Sequence, residues 1–168
     1  MKIAVTDACI FIDLIELDLI SDFFQLNLGF NTTVEVMNEL YANQKQVLED
    51  YQKVGKLTVH NLDEVDFSKI DNLAFPRGLS AEDRSVLYIA INLENGIVIS
   101  SDKLVNKCAQ SNGLECHGLL WVFNLLVSQK ICSKPTALAS IRKLLAMNTM
   151  YAGPKMKMKI EEMIRGWS

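Results

Sequence analysis

Two short β-branched runs, residues 3–6 (Ile-Ala-Val-Thr) and 97–101 (Ile-Val-Ile-Ser-Ser), each end on an aspartate, Asp7 and Asp102, and each leads straight into a helix-like segment. Strand and helix signals alternate in this way along the chain, which argues for an α/β layer architecture with a mainly parallel sheet. The sequence therefore predicts a three-layer α/β/α sandwich with a central, mainly parallel sheet of about four to five strands, plus C-terminal helices. In such open sheets ligands bind in the crevice beyond the carboxyl ends of the strands, so an aspartate placed just after a strand is a candidate for chemistry.

Residues 2–6 read as a first strand, 8–17 as a helix and 19–27 as a second helical piece broken at Gly29. An extended piece, 30–33, leads into a helix over 34–41. A further helix over 44–54 is closed by Gly55, and residues 56–61 alternate like a strand. Residues 63–78 are polar, contain Pro76 and Gly78, and read as the longest connection. Ser80 opens a strong helix that Gly96 ends; 97–101 is a strand, 103–111 a helix, 114–117 a short strand and 119–128 a buried helix. Pro135 and Thr136 open a helix to about residue 147, and Gly153-Pro154 precedes a basic amphipathic helix over 155–165. The expected organisation is one main domain over 1–130 with a helical extension over 131–168 packed on it.

A chain of 168 residues, 49% of them hydrophobic, is large enough for one buried core. The longest apolar run, 119–127, contains Asn124 and falls far short of the roughly 20 residues that span a bilayer. The N-terminus reads as a strand rather than a signal peptide, and a cytoplasmic protein without membrane association is expected. The cysteines, Cys9, Cys108, Cys116 and Cys132, show no CxxC spacing; Cys9 and Cys108 fall on apolar helical faces and read as buried thiols. Charge is unevenly spread: residues 1–129 carry 9 Lys/Arg against 18 Asp/Glu, while 130–168 carry 8 against 2. A basic tail on an acidic body can hold a polyanion, pack on that body or meet another protein.

Glu39 and Asp83, on helix-like stretches, are positioned to join Asp7 and Asp102. Each of the four has a local alternative: Asp7 and Asp102 as helix caps, Ser80-x-x-Asp83 as a capping box, and Glu39 as a solvated helix residue. Asp13, Glu16, Asp18 and Asp22 sit where solvent is favoured. Clustered carboxylates repel and raise one another's pKa, and a divalent cation offsets that most simply. An all-oxygen set without lysine or histidine suits Mg²⁺ or Mn²⁺. Such a metal activates water and stabilises charge on a phosphoryl group, so phosphodiester cleavage fits this equipment best.

The order of motifs carries a resemblance. Val5-Thr6-Asp7-Ala8-Cys9 with Phe11-Ile12-Asp13-Leu14, then Thr32-Thr33-Val34 with Glu39-Leu40, then Leu79-Ser80-x-x-Asp83-Arg84-Ser85 with Leu87 and Ala90, then Ile99-Ser100-Ser101-Asp102 resembles the PIN domain over about residues 2–127. The resemblance implies a metal-dependent endoribonuclease, a hydrolase of RNA using Mg²⁺ or Mn²⁺, with Asp7, Glu39, Asp83 and Asp102 as the catalytic and metal-binding acids. It implies a supporting hydroxyl from Thr6, Ser100 or Ser101, and Asn106 where many members carry a further acid or Asn after the last Asp. Glu82 adjoins Asp83, which is preferred for its spacing to Ala90; Glu35 is the weaker alternative to Glu39. Many bacterial members are toxins of toxin–antitoxin pairs, so an antitoxin protein and a homodimer are implied partners beside RNA. The alternative is a non-catalytic PIN-like module that binds RNA or protein through its basic tail. A haloacid-dehalogenase-type phosphatase would need a second Asp where Cys9 stands, and no phosphate-binding glycine loop is present.

Overall fold

The strands form where β-branched and apolar residues run together. In the computed structural model, which describes residues 1–167, they are β1 (Lys2–Thr6), β2 (Leu28–Thr33), β3 (Leu57–His60), β4 (Gly96–Ile99) and β5 (Glu115–His117). They lie in the order β3-β2-β1-β4-β5, every neighbouring pair parallel. Thr6 stands opposite Ile99 at the carboxyl ends of β1 and β4. The helices are α1 (Ala8–Glu16), α2 (Ile20–Phe23), α3 (Val34–Asn38), α4 (Ala42–Lys53), α5 (Glu64–Asn72), α6 (Ala81–Asn92), α7 (Lys103–Ser111), α8 (Leu119–Ser128), α9 (Lys134–Met147) and α10 (Pro154–Gly166), with a 3-10 turn at Thr149–Tyr151. The chain winds outward from β1 to β3, then returns across β1 to β4 and β5, so right-handed crossovers put helices on both faces of the sheet. This is the expected α/β/α sandwich.

The chain falls into two compact units. One comprises residues 1–12 and 27–119 and holds the whole sheet; its core is built from Ala4, Val5, Phe30, Ile97, Val98 and Ile99 of the strands and Val86, Leu87 and Ala90 of α6. Ala4 and Val5 are consecutive and both fully buried, the signature of a strand covered on both faces. The other unit comprises residues 13–26 and 120–168, with Leu14, Phe23, Val122, Phe123, Leu126, Ile141, Leu144 and Tyr151 at its centre. Among the described residues no helix is long and apolar enough to cross a membrane.

Several expectations need correction. Gly29 does not break a helix; it lies within β2, paired with Ile3. Residues 63–78 are not one long connection, because α5 occupies most of them. Asp63 caps α5, its Oδ1 accepting from the Asp66 N–H at 2.8 Å. Asp66 in turn accepts from the Tyr88 hydroxyl at 2.7 Å, tying α5 to α6. Only Ile70 of α5 is buried, so the helix lacks the apolar stripe that betrays helices in sequence. Asp13 is buried rather than solvated: it accepts from Asn148 Nδ2 at 3.5 Å, and burial raises its pKa. Cys9 is exposed while Cys108 is buried as expected.

Gly96 opens β4 against the end of α6, where a Cβ would stand 2.7 Å from the Ala90 carbonyl oxygen and 3.2 Å from that of Leu93. At Gly29 the nearest atom would be Ile3 Cγ1 at 3.6 Å, an ordinary contact. Gly96→Ala should therefore cost about 1–3 kcal/mol and lower the urea midpoint at unchanged m. Gly29→Ala should stay within about 1 kcal/mol of the parent on the favourable side. Equal midpoints for the two variants would refute this account of the β4 entrance.

Candidate functional site

Sheet order reverses between β1 and β4, and that boundary is the switch point where a crevice opens beyond the strand ends. Asp7 stands there. Its N–H donates to the Ile99 carbonyl at 3.1 Å, continuing the β1–β4 ladder, and its Oδ1 accepts from the Ile10 N–H at 3.2 Å, capping α1. The residue is 5% exposed. Ser100, also buried, follows β4, and its N–H donates to the His117 carbonyl at 2.9 Å. The Ser100 hydroxyl donates to the Asp7 carboxylate, while its oxygen accepts the Asp102 N–H at 3.1 Å. One buried hydroxyl thus links the two strand-end aspartates. Asp102 is exposed and caps α7, its Oδ1 accepting from Leu104 N at 2.8 Å and Val105 N at 3.0 Å.

The other acids arrive on α3 and α6. Thr33 ends β2 and caps α3 by accepting the Val36 N–H at 3.2 Å. Its hydroxyl lies 2.8 Å from that of Ser85, which donates to the Glu82 carbonyl at 2.6 Å. With Ser85 donating onward, Thr33 is the donor between them, and the chain of hydroxyls fastens α3 to the first turn of α6. Glu39, exposed at the end of α3, lies close enough to Glu82 for the two carboxyls to hydrogen-bond when one is protonated. Asp83 Oδ2 accepts the Ser80 N–H at 3.3 Å, and the Asp83 N–H donates to Ser80 Oγ at 3.1 Å. The capping box anticipated as the local explanation of Asp83 is therefore real, as are the caps made by Asp7 and Asp102.

Capping does not remove these groups from one another's fields. Burial pushes the Asp7 carboxyl up to about 7, opposed by the hydrogen bonds from Ser100 and Ile10, with the charges of Asp83 and Asp102 pushing it further up. Asp83 is raised by burial and then by Asp102 and Glu82. Glu39 is raised first by its hydrogen bond to Glu82, then by the charges of Glu82 and Asp83. The charges acting most strongly on each are other carboxylates, so Asp7, Asp83, Asp102 and Glu39 form one electrostatic group with Glu82. No three acidic, histidine or cysteine side chains among the described residues stand at ligating distance around a common point. The two facts are compatible: Coulomb coupling reaches further than a metal–oxygen bond of about 2.0–2.6 Å. An all-carboxylate group whose members repel is the donor chemistry a hard divalent cation suits.

The supporting residues separate. Thr6 Oγ1 is buried without a partner among the described residues, directly before Asp7. Ser101 Oγ faces Gly118, where a Cβ would come within 3.8 Å of it. Asn106 donates its N–H to the Asp102 carbonyl at 3.0 Å as part of α7, and among the described residues no side-chain hydrogen bond joins it to the acids. Glu35 leaves Oε2 buried and unpartnered, and Glu39 rather than Glu35 meets Glu82. Sequence reasoning set Glu82 aside and left Ser100 as one of three hydroxyls. Its position two residues after the Ser80 cap is the signal for Glu82, and for Ser100 it is the place directly after Ile99, the strand end opposite Thr6. Cys116 was also missed: burial and the Asp7 charge lift its thiol to about 11, so it stays neutral beside the acids.

An open parallel sheet with acids gathered at its switch point defines a class of carboxylate-centred α/β proteins. Residues 3–164 match the family described as "DUF3368: PIN domain", and the chain belongs to that family. PIN domains are generally metal-dependent nucleases. Among solved structures the chain is similar to a PilT N-terminus domain protein from the hyperthermophilic archaeon Sulfolobus solfataricus P2, at 14% identity over 75% of this chain and 94% of that one, with a TM-score of 0.46. No curated protein matches the sequence.

The Asp7 shift has a thermodynamic consequence. Its pKa is raised in the folded protein from 3.8 to about 7, so between those values the folded state holds a proton that the unfolded chain releases. Stability therefore falls as pH rises from about 4 through about 7 in metal-free solution. Asp7→Asn, which keeps the shape and the cap, should match the parent near pH 4 and exceed it near pH 7.5 by up to about 4 kcal/mol. Parallel stability–pH curves for the two proteins in urea melts would contradict the assignment.

Proposed function

We propose that this protein is an endoribonuclease, a hydrolase that cuts RNA phosphodiester bonds with Mg²⁺ or Mn²⁺. The observation that carries the reading is Asp7: a buried carboxylate at the sheet's switch point whose strongest charged neighbours are Asp83 and Asp102. Asp7, Asp83 and Asp102 would hold the cation, with Glu39 completing the set. When bound, the cation supplies an activated water and neutralises charge on the phosphodiester. The chain's own contribution is positional. Ser100 orients Asp7 and fixes the backbone of Asp102. The Thr33–Ser85 link holds α3 against α6, which places Glu39 beside Glu82, and the raised pKa of Glu39 makes its carboxylate the stronger base of the exposed acids for taking a proton from the attacking water. Residues 1–130 are proposed as the nuclease part and 131–168 as its extension.

RNA as substrate and an antitoxin protein or a second copy of the chain as partner are suggested by the family, and with a cytoplasmic setting they belong to the same proposal. A second reading, a binding module without catalysis, is favoured by one observation, the excess of six positive charges over residues 130–168.

Cleavage of a mixed RNA pool separates the two. It should require Mn²⁺ or Mg²⁺, stop in EDTA, and fall in Asp7→Asn and Asp102→Asn by more than the roughly 10–100-fold that an outer-shell partner is worth. Ser100→Ala should fall within that range. Mn²⁺ should also raise the Tm of the parent near pH 7.5 and leave that of Asp7→Asn unmoved. Metal-independent cleavage, or parent-level rates in both aspartate variants, would sink the nuclease assignment; absent cleavage with metal-independent RNA binding would establish the binding module.

A further inference from the structure

Eight of the ten residues of α8 are apolar, more than one helix face can bury. Val122, Phe123 and Leu126 enter the core of their unit, while Trp121, Leu125 and Val127 remain half-buried. Trp121, Leu125 and Ser128 follow at helical spacing and, with Asn124, line an open cavity of about 420 Å³ that is bordered by Trp167 beyond the end of α10 and by Lys134 at the start of α9. That volume lies in the range of about 300–1,000 Å³ that small-molecule sites occupy. The Trp167 ring is fixed, its Nε1 donating to Asn124 Oδ1 at 2.8 Å.

The lining chooses among ligands. Two indoles are part of it. No carboxylate lines the cavity and one lysine does, so a cation, the usual guest of an aromatic cage, would be repelled. A planar group carrying negative charge fits. Lys130 and Arg165, both exposed, add positive charge close by in the chain to Ser128 and Gly166, within the stretch 130–168 where basic residues outnumber acidic ones by six. Aromatic faces with basic side chains are how proteins hold single-stranded nucleic acid without reading its sequence.

We propose that this cavity is a binding site for single-stranded RNA, separate from the carboxylate group: a nucleobase stacks on Trp121 and Trp167 and Lys134 meets an adjoining phosphate. The inference rests on RNA being the ligand of the protein, as proposed above, and does not require that RNA be cut.

Trp121 and Trp167 are the chain's two tryptophans, so indole emission reports on this cavity alone. The full-length protein in EDTA is titrated with oligouridylate of about 12 nucleotides, within the site sizes usual for stacking platforms. The expected result is saturable quenching that weakens with salt. Trp121→Ala should lose about tenfold or more in affinity by gel shift, and Trp121→Phe should retain most of it. Lys134→Ala should flatten the logarithmic salt dependence by about one unit. Emission that does not respond to the oligonucleotide overturns the site, as does an unchanged affinity in Trp121→Ala with the parent's circular dichroism. Metal-dependent cleavage with silent tryptophans removes this site and leaves the nuclease reading standing; quenching without cleavage does the reverse.

Discussion

A carboxylate that caps a helix at the end of a parallel strand is the arrangement on which the candidate site depends. Asp7 is held by the Ile10 N–H, Asp102 by Leu104 and Val105, and Asp83 by Ser80. Each bond satisfies a backbone donor that the start of a helix leaves open, and each helix presents the positive end of its dipole to the acid. The acids are thus fixed by bonds the fold needs in any case, and caps of this kind are worth about 0.5–2 kcal/mol each. The arrangement tolerates a repulsion that free side chains would relieve by turning into solvent. The residual imbalance is concentrated in Asp7, the most buried of them, whose carboxyl is lifted to about 7. The capping role of these residues and the chemical role proposed for them therefore rest on the same bonds.

The fold was legible wherever a segment buries itself. The doubly buried strands β1 and β4, the capped and largely buried α6 and the apolar α8 all announce themselves by composition and end signals. What escaped was held by contacts made outside the segment. In α5 a two-aspartate cap and the bond from Tyr88 replace an apolar stripe. Gly29 reads locally as a breaker, yet it sits in a strand whose partner, Ile3, lies far back in the sequence. Asp13 looks solvated because its hydrogen-bond donor, Asn148, is 135 residues away.

The same division runs through the site. Asp7 and Asp102 were visible as strand ends, and Asp83 through its spacing to Ala90. Glu39 has no local signature beyond its helix-like stretch; the resemblance to a family singled it out, and its place follows from the Thr33–Ser85 bond across 52 residues. No periodicity gives the meeting of these residues, because it depends on sheet order. Residues 7 and 102 become neighbours only because the chain returns to the other side of β1 after β3. Glu82 and Ser100 stand beside residues that look more important in sequence. Only the hydrogen-bond partners, Glu39 for one and Asp7 for the other, distinguish them.

An acid-centred site acting on a polyanion carries an electrostatic contradiction that the charge distribution addresses. The group of five carboxylates repels a phosphate approaching unaided, so the proposed cation would do more than activate water; it would turn the sign of the field the substrate meets. Even so, a few ligating contacts leave the rest of a nucleic-acid strand facing a chain whose first 129 residues carry nine more acidic than basic side chains. Phosphate neutralisation and counterion release, the main source of sequence-independent affinity, must then come from elsewhere in the molecule. The late segment meets that need: Lys155, Lys157 and Lys159 of α10 are all exposed, and Lys134 borders an aromatic cavity. If the carboxylates cut, the basic helices are the part of this chain equipped to hold what is being cut. Acidic chemistry and basic attraction then have opposite demands on local charge, which gives a physical reason for their separation along the sequence.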